Sequence, residues 1–182
     1  YTRPVFSVEN VDLRFELGEE DTVVRARLKL ARETPGPLIL DAEALDLVSI
    51  KLDGRDLSVS DYSMADNCLS IGDVPDGSFW LETEVRCKPQ DNTQLSGLYK
   101  SAGNFCTQCE AQGFRRITPY FDRPDVLSRF SVMIIAEKAL YPVLLSNGNL
   151  TESGELEDGK HFAVWQDPFP KPAYLFALVA GG

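Results

Sequence analysis

The segment from Cys106 to Glu110 (Cys-Thr-Gln-Cys-Glu) holds the residues best suited to chemistry. A C-x-x-C pair can form a redox couple or half of a zinc site. A redox couple needs a helix N-terminus or a nearby positive charge, and strand and loop patterns flank this pair. A cysteine zinc site needs a second close pair, whereas Cys68 and Cys87 lie far apart in the sequence. The spacing favours reduced, partly buried thiols, with a thiol-dependent redox module as the alternative.

The chain contains one histidine, His161, within a segment that alternates apolar and polar residues. A Ser-His-acid triad could use it, but the pattern favours a surface or hydrogen-bonded strand residue. A zinc hydrolase site usually takes two or three histidines, and the H-E-x-x-H motif cannot occur here. The sequence therefore predicts no metal site within this chain.

Glu110 has two interpretations from the local sequence alone. Residues 110–120 are the best candidate for a short helix, which the Asp122-Arg123-Pro124 run would end. A carboxylate at the start of a helix is stabilised by the helix dipole, so Glu110 is expected to cap it. The alternative interpretation is that Glu110 binds a ligand.

The elements that must position these residues are predicted to be strands. Apolar and charged residues alternate over residues 11–17, as in a strand with one wet face. A turn follows at residues 18–21, and alternation resumes over residues 24–30. We therefore expect an antiparallel hairpin in which Asp12 and Glu16 lie beside basic side chains of the second strand.

Short strands also account for most of the remaining chain. The same patterns predict strands at residues 38–40, 48–52, 68–71, 79–86, 130–136, 143–146, 162–166 and 174–180. Turn signals containing Gly, Pro, Asn or Asp separate them, and no sustained 3.6-residue period competes. The prediction is a single all-β, mainly antiparallel domain over residues 1–182.

Charge and composition exclude several classes of function. The chain has 18 Lys and Arg against 28 Asp and Glu, a formal net charge of -10. This balance argues against a nucleic acid or an anionic membrane as the main partner, since phosphate binding relies on basic clusters. The sequence starts without Met and has no visible leader, and four cysteines without a leader predict a cytoplasmic protein. We also expect the sequence to be a piece of a longer protein.

Several blocks of the sequence resemble the N-terminal domain of the aminopeptidase N family, which are gluzincin zinc exopeptidases. The blocks are G-L-Y at 97–99, Q-C-E-A-Q-G-F-R at 108–115, Y-F-D-R-P-D-V at 120–126, L-L-S-N-G-N at 144–149, W-Q-D-P-F-P-K-P at 165–172 and Y-L-F-A-L-V-A-G at 174–181. The last three are similar to the bacterial cytoplasmic branch. The resemblance is dense over residues 97–182 and looser, mainly by strand pattern, over residues 1–96.

The resemblance implies a fold and a missing partner. Family members place a saddle-shaped or sandwich-like β domain against a thermolysin-like catalytic domain, which carries the H-E-x-x-H zinc motif. That motif is absent here, so the resemblance implies zinc in the catalytic domain of a parent protein and none in this chain. The parent is expected to remove N-terminal amino acids from peptides, and this chain alone is expected to be inactive.

The resemblance also assigns roles to two residues. The family glutamate that corresponds to Glu110 binds the free α-ammonium group of the peptide substrate. The family glutamine that corresponds to Gln108 lines the pocket for the first side chain. The implied partners are a peptide N-terminus and the parent's catalytic domain. The competing hypothesis is a stand-alone β-sandwich binding or adaptor module without catalytic activity.

Overall fold

The computed structural model describes every residue from Tyr1 to Gly182 and confirms an all-β, mainly antiparallel fold. The strands are β1 (Phe6–Glu16), β2 (Thr22–Arg32), β3 (Leu38–Asp41), β4 (Asp46–Leu52), β5 (Arg55–Asp56), β6 (Tyr62–Ala65), β7 (Cys68–Ile71), β8 (Ser78–Cys87), β9 (Gly97–Ser101), β10 (Asn104–Gln108), β11 (Ser128–Glu137), β12 (Val143–Ser146), β13 (Asn149–Glu155), β14 (Lys160–Lys171) and β15 (Leu178–Gly181). Three short 3-10 helices cover Pro89–Asp91, Phe114–Arg116 and Ala173–Leu175. No helix is long and apolar enough to cross a membrane.

The largest sheet has eight strands in the order β13-β14-β11-β1-β2-β8-β4-β5. Its centre is the predicted β1–β2 hairpin, in which Leu13 pairs with Ala26 and Val11 with Leu28. Strand β11 runs parallel to β1, and the other pairs in this sheet are antiparallel. The alternating apolar side chains of these strands point to one face, which is buried.

The opposite face of the large sheet is a charged, solvent-facing surface. Asp12 lies opposite Arg27 in the register of the hairpin, and the Glu16 Oε1 atom forms an ion pair with the Arg25 guanidinium at 3.1 Å. Both contacts confirm the predicted arrangement of acids beside basic residues. Partial burial raises the pKa of Asp12, and the charge of Arg27 opposes that shift. The Arg27 guanidinium also lies 3.8 Å from the centre of the Trp80 ring.

Two smaller sheets complete the core. Their strand orders are β12-β15-β10-β9 and β3-β7-β6. A connected set of 40 buried hydrophobic residues joins all three sheets. Phe105 of the four-stranded sheet and Leu69 of the three-stranded sheet are both fully buried within it. The small sheets are therefore fixed to the large one by shared side-chain packing.

The helix predicted over residues 110–120 is much shorter in the structure, where one 3-10 turn at Phe114–Arg116 lies in that range. The structure has a turn over residues 110–113, one 3-10 turn at Phe114–Arg116, and then an extended segment. Tyr120 forms a two-bond bridge with Asp41, with N–O distances of 2.9 and 3.0 Å. A helix cannot continue because this backbone instead bonds to the end of β3.

The strand predicted over residues 174–180 starts late, at Leu178. The Asn147 side chain explains the difference. Its amide nitrogen donates to the Leu175 carbonyl at 3.1 Å, and its oxygen accepts from the Ala177 amide at 2.8 Å. These backbone groups therefore bond to a side chain and not to a neighbouring strand.

Candidate functional site

The β9–β10 hairpin places Gln108 at the end of a strand. Ala102 and Gly103 form its tip, with positive φ angles of 50° and 83°. Strand β10 lies between β9 and β15, so both of its edges are paired. Gln108 is the last residue of β10, pairs with Gly97, and exposes its side chain. The sheet thus fixes the backbone of Gln108 and leaves its side chain exposed to solvent.

The turn after β10 packs very closely against neighbouring parts of the chain at two glycines, Gly113 and Gly97. The Gly113 amide donates to the Cys109 carbonyl at 2.9 Å. A Cβ on Gly113 would lie 2.3 Å from the Gln108 carbonyl oxygen, which no side chain tolerates. Gly97 has a φ of +77°, and a Cβ there would lie 2.8 Å from Cβ of Arg116. Both positions therefore require glycine.

Phe114 fixes the turn to the core. Its ring is fully buried and meets Tyr120 at 5.1 Å, Phe176 at 5.3 Å and Phe130 at 5.9 Å between ring centres, all close to edge-to-face. The Tyr120 hydroxyl lies 2.6 Å from the hydroxyl of Ser128. Such aromatic pairs add to the stabilisation from burial alone. The residues just before Phe114 are consequently held on a rigid base.

An ion pair braces the same turn from the other side. Asp122 Oδ2 accepts hydrogen bonds from the backbone amide and the Nε of Arg115, both at 3.1 Å. Asp41 Oδ1 lies 3.6 Å from the Arg115 guanidinium and Asp41 Oδ2 accepts from the Asp122 amide at 3.1 Å. Burial raises the pKa of Asp122, since its Oδ1 is buried without a partner, and the bonds from Arg115 oppose this shift.

Replacing Asp122 with Ala is expected to lower the free energy of unfolding of this chain by about 1.5–3 kcal/mol, because two donors on Arg115 lose a charged acceptor. Urea unfolding followed by circular dichroism measures the change. Asp122→Asn is the matched control, since its amide oxygen can still accept and the loss should be smaller. Equal stability of wild type and Asp122→Ala would contradict this bracing role.

Glu110 extends from this braced turn into solvent. Its side chain is exposed, and its carboxylate has no hydrogen bond or ion pair within the chain. The Gln108 side-chain nitrogen donates to the Glu110 backbone carbonyl at 3.3 Å, which links the two residues. The Glu110–Ala111 peptide bond is cis. No helix begins at Glu110, because the nearest one starts at Phe114, so the capping interpretation is wrong.

A free carboxylate on a fixed turn can bind a cationic group. An ionised acid accepts charge-assisted hydrogen bonds, which are shorter and about twice as strong as neutral ones. An ammonium group, with three donors, suits such an acceptor and leaves donors for neighbouring oxygens. Gln108 carries both a donor and an acceptor beside it. The pair can therefore recognise a primary ammonium and an adjacent polar group.

The cysteines do not resemble a reactive pair. All four are free thiols, and Cys109 is buried. Burial raises the pKa of Cys109 to about 12, with a further contribution from the charge of Asp122. Burial also raises the pKa of Cys87 to about 12. A redox couple needs a lowered thiol pKa, so the geometry does not favour the redox alternative.

Because burial raises the pKa of the Cys109 thiol to about 12, this cysteine is almost entirely protonated at pH 8. We expect Cys109 to react very slowly with an aromatic disulfide reagent in the native protein. Mass spectrometry of the alkylated peptides assigns each thiol, and the same titration in urea should modify all four. A native Cys109 that reacts within seconds would contradict the burial described above.

The residues present do not form a zinc site. No group of three or more His, Cys, Asp or Glu side chains is arranged to hold a metal ion. His161 lies on β14, and its Nε2 is 2.7 Å from the Tyr141 carbonyl oxygen. Its ring nitrogen is therefore engaged with the backbone. The His, Cys, Asp and Glu side chains of this chain are therefore not placed to ligate the zinc ion that the sequence resemblance implies for the parent protein.

Known proteins match this chain in sequence and in fold. The profile of the peptidase M1 N-terminal domain matches residues 21–175. Aminopeptidase N of Caulobacter vibrioides is 54% identical over 179 residues, which are 97% of this chain and 20% of that protein. The crystal structure of Legionella pneumophila aminopeptidase A in complex with aspartic acid superimposes with a TM-score of 0.96 at 37% identity, and the match covers 100% of this chain and 22% of that chain.

A more distant structure has the same fold. An M1 zinc metallopeptidase from Deinococcus radiodurans, crystallised with a Tyr-Ser-Ala substrate, superimposes with a TM-score of 0.81 at 18% identity. That match covers 97% of this chain and 42% of that chain. The chain spans about a fifth of the length of the Caulobacter and Legionella relatives. The described residues therefore correspond to one part of considerably longer proteins.

Proposed function

This chain belongs to the peptidase M1 N-terminal domain family, and from that membership we propose that it is the substrate-anchoring domain of a zinc aminopeptidase. The parent protein removes amino acids one at a time from the N-terminus of peptides. This chain contributes the carboxylate of Glu110, which binds the α-ammonium group, and Gln108, which forms part of the pocket for the first side chain. The observation that carries the proposal is the free, exposed carboxylate on a braced turn.

The proposed role of Glu110 follows from what an exopeptidase must measure. A fixed carboxylate that pairs with the ammonium group sets the distance from the peptide N-terminus to the bond that is cut. A peptide bound one residue out of register would leave its ammonium away from Glu110. A substrate without a free amine would leave this carboxylate desolvated and unpaired, which is costly. One side chain thus supports both recognition and rejection.

Rigidity of the turn supports this role. Three sets of contacts restrict the backbone next to Glu110. They are the close backbone approaches at Gly97 and Gly113, the buried Phe114 ring, and the Arg115–Asp122 ion pair. A positioned group loses less conformational entropy on binding than a mobile one. We therefore infer that these contacts serve to place the carboxylate before the substrate arrives.

The zinc of the proposed parent belongs to a second domain, since the donor set of this chain does not fit it. That domain would carry the bond-breaking step. The 182-residue chain alone is therefore proposed to bind the amino end of a peptide without cleaving it. A stand-alone adaptor is not favoured, because the Caulobacter and Legionella relatives are aminopeptidases of which this chain covers only 20% and 22%.

The test is steady-state kinetics of Glu110→Gln in the full-length parent, with an alanyl chromogenic substrate. A large loss of kcat/KM with unchanged zinc content and unfolding temperature supports the proposal. Turnover close to that of the wild type refutes it. Inactivity of the wild-type parent on every free-amine substrate would refute the aminopeptidase assignment itself.

A further inference from the structure

A groove crosses the charged face of the eight-stranded sheet. It has a volume of about 490 Å³ and is lined by residues of β1, β2, β4, β8 and β11. Sites for small molecules usually have volumes of roughly 300–1,000 Å³, so the groove is large enough to hold one. Neither Gln108 nor Glu110 lines it, and it therefore shares no residue with the candidate site. We call this depression the charged groove.

One row of side chains alternates in charge across the charged groove. The strand register places Asp12 opposite Arg27 and Arg27 opposite Glu82. It also places Glu82 opposite Lys51 on β4. The two central residues form an ion pair, with Arg27 Nε 3.2 Å from Glu82 Oε1. Asp12 and Lys51 form no ion pair or side-chain hydrogen bond within the chain, so the row ends in one unpaired anion and one unpaired cation.

The acidic end of the row is suited to an ammonium group. Asp12 is half-buried, and this burial raises the pKa of its carboxyl, although the charge of Arg27 opposes the shift. Ser131 lies directly opposite Asp12 on β11, and its hydroxyl makes no hydrogen bond within the chain. A group with several N–H donors can bind the carboxylate and the hydroxyl oxygen together.

The basic end of the row is suited to a carboxylate. Lys51 is half-buried on β4, and Ser49 lies two residues earlier on the same side of that strand. The Ser49 hydroxyl also makes no hydrogen bond within the chain. An ammonium and a hydroxyl both donate to a carboxylate, and the bond from the ammonium is charge-assisted. The two ends of the row therefore match the two termini of a peptide.

The separation of the two ends sets the length of the ligand. Three strand spacings separate Asp12 from Lys51, because β2 and β8 lie between β1 and β4. Neighbouring strands are about 4.8 Å apart, so the separation is about 14 Å. An extended peptide spans about 3.3–3.6 Å per residue, and three or four residues therefore reach from one end to the other. A single amino acid is too short to contact both ends.

We propose that the charged groove is a binding site for peptides of three or four residues with free termini. The α-ammonium group of the peptide binds Asp12 and Ser131, and its α-carboxylate binds Lys51 and Ser49. The Arg27–Glu82 ion pair lies beneath the middle of the peptide and adds no net charge there. This site does not depend on the role proposed for Glu110.

The balance of charge in the groove favours a zwitterion over other ligands. The groove is lined by four basic and three acidic side chains, whereas the whole chain has a formal net charge of -10. A polyanion or a polycation would meet like charges at one end of the row, and such contacts are costly. A second copy of this chain presents the same depression, so its surface does not fill the groove.

A titration of the isotope-labelled 182-residue chain with tetra-alanine, followed by amide chemical shifts, tests the proposal. Every protein in the titration also carries Glu110→Gln, so that binding at the candidate site does not contribute. We expect saturable shifts at Asp12, Ser131 and Lys51, with a dissociation constant on the order of millimolar. Asp12→Asn and Lys51→Gln should each weaken binding roughly threefold to tenfold, because each removes one charge-assisted contact at a half-buried position.

Matched controls separate the two contacts from a general effect of charge. Asp73 and Lys88 are exposed and lie outside the charged groove, so Asp73→Asn and Lys88→Gln should leave the dissociation constant unchanged. N-acetyl-tetra-alanine has no ammonium group and should bind equally well with Asp12 or Asn at that position. Tetra-alanine amide has no carboxylate and should be equally indifferent to Lys51→Gln. Each pairing of a blocked peptide with a variant is a double-mutant cycle for one contact.

Three results overturn the proposal. The first is the absence of saturable shifts in the groove up to roughly 50 mM tetra-alanine, a concentration well above the expected dissociation constant. The second is equal affinity for tetra-alanine, for free alanine and for the peptide blocked at both termini, since the groove then does not recognise two charged ends. The third is a set of groove shifts that follow protein concentration without peptide, because that result identifies a second copy as the occupant.

The outcome is independent of the anchoring role. Groove shifts that persist in the chain, together with full activity of Glu110→Gln in the parent, would support the groove and refute only the anchoring role. Loss of activity in Glu110→Gln, without any groove shifts, would refute only the groove. The two proposals are therefore distinguishable.

Discussion

Glu110→Gln is expected to lower kcat/KM of the full-length parent by roughly 30-fold to several thousand-fold on an alanyl chromogenic substrate. The substitution keeps the size and shape of the side chain and removes its charge. Truncating or neutralising one partner of a desolvated charge pair costs on the order of 2–5 kcal/mol, which corresponds to that range of rates. The loss should fall on kcat/KM because both the bound substrate and its transition state use the ammonium contact.

The control for this prediction is Glu137→Gln. Glu137 is an exposed glutamate at the end of β11 whose carboxylate makes no ion pair. Its replacement removes the same charge at a distance from the candidate site and should leave kcat/KM within about twofold, since isolated surface charges contribute little. Equal losses in both variants would mean that net charge matters and that Glu110 has no special role.

Phe114→Ala is expected to have the largest effect on stability. Its ring is fully buried and has three aromatic partners, so truncation leaves a cavity that rigid neighbours cannot fill. Losses of about 3–5 kcal/mol are usual for a buried Phe replaced by Ala. Urea unfolding of the 182-residue chain measures the change, and the midpoint should fall without a large change in slope.

Two further variants make the Phe114 prediction specific. Phe114→Leu fills more of the cavity and should lose less stability than Phe114→Ala. Phe169→Ala removes a ring that is 75% exposed and should change stability by about 0.5 kcal/mol or less. A Phe114→Ala protein as stable as wild type would contradict the claim that this ring fixes the turn before it.

The large sheet was predictable because its pattern is local and clear. Strands β1 and β2 alternate apolar and charged residues, and a turn of Gly and acidic residues joins them. The register that follows from this alternation also placed Asp12 and Glu16 beside arginines. Burial of one sheet face fixes such a register, since a shift by one residue would expose the core.

Other strands gave no such pattern. Strand β13 is exposed at nearly every position, so no apolar period marks it. The β9–β10 hairpin turns at Ala102 and Gly103, where Ala holds a positive φ that sequence rules assign to Asn, Asp or Gly. The helix predicted over residues 110–120 is shortened to one 3-10 turn for a related reason. The bridge between Tyr120 and Asp41 joins residues far apart in sequence, which no local pattern reveals.

The candidate site was predictable only in part. Residue types around Glu110 suggested a helix cap, and the resemblance to aminopeptidases supplied the binding hypothesis. What local reasoning missed is the support: Gly97 against Arg116, Phe114 in the aromatic cluster, and Asp122 on Arg115. These contacts depend on the three-dimensional path of the chain. A glycine can mark a position where two stretches of backbone approach closely, but the sequence alone does not show which stretches meet.

The central claim is that the Glu110 carboxylate recognises a free α-ammonium group, and an inhibitor pair tests it most directly. The inhibition constants of alanine and propionate, which differ by that amine and contain no bond for the enzyme to cut, are measured on the wild-type parent and on Glu110→Gln. We predict that the wild type binds the amine-bearing inhibitor at least about 30-fold more tightly, and that Glu110→Gln loses most of this preference. The same preference in both proteins would contradict the account.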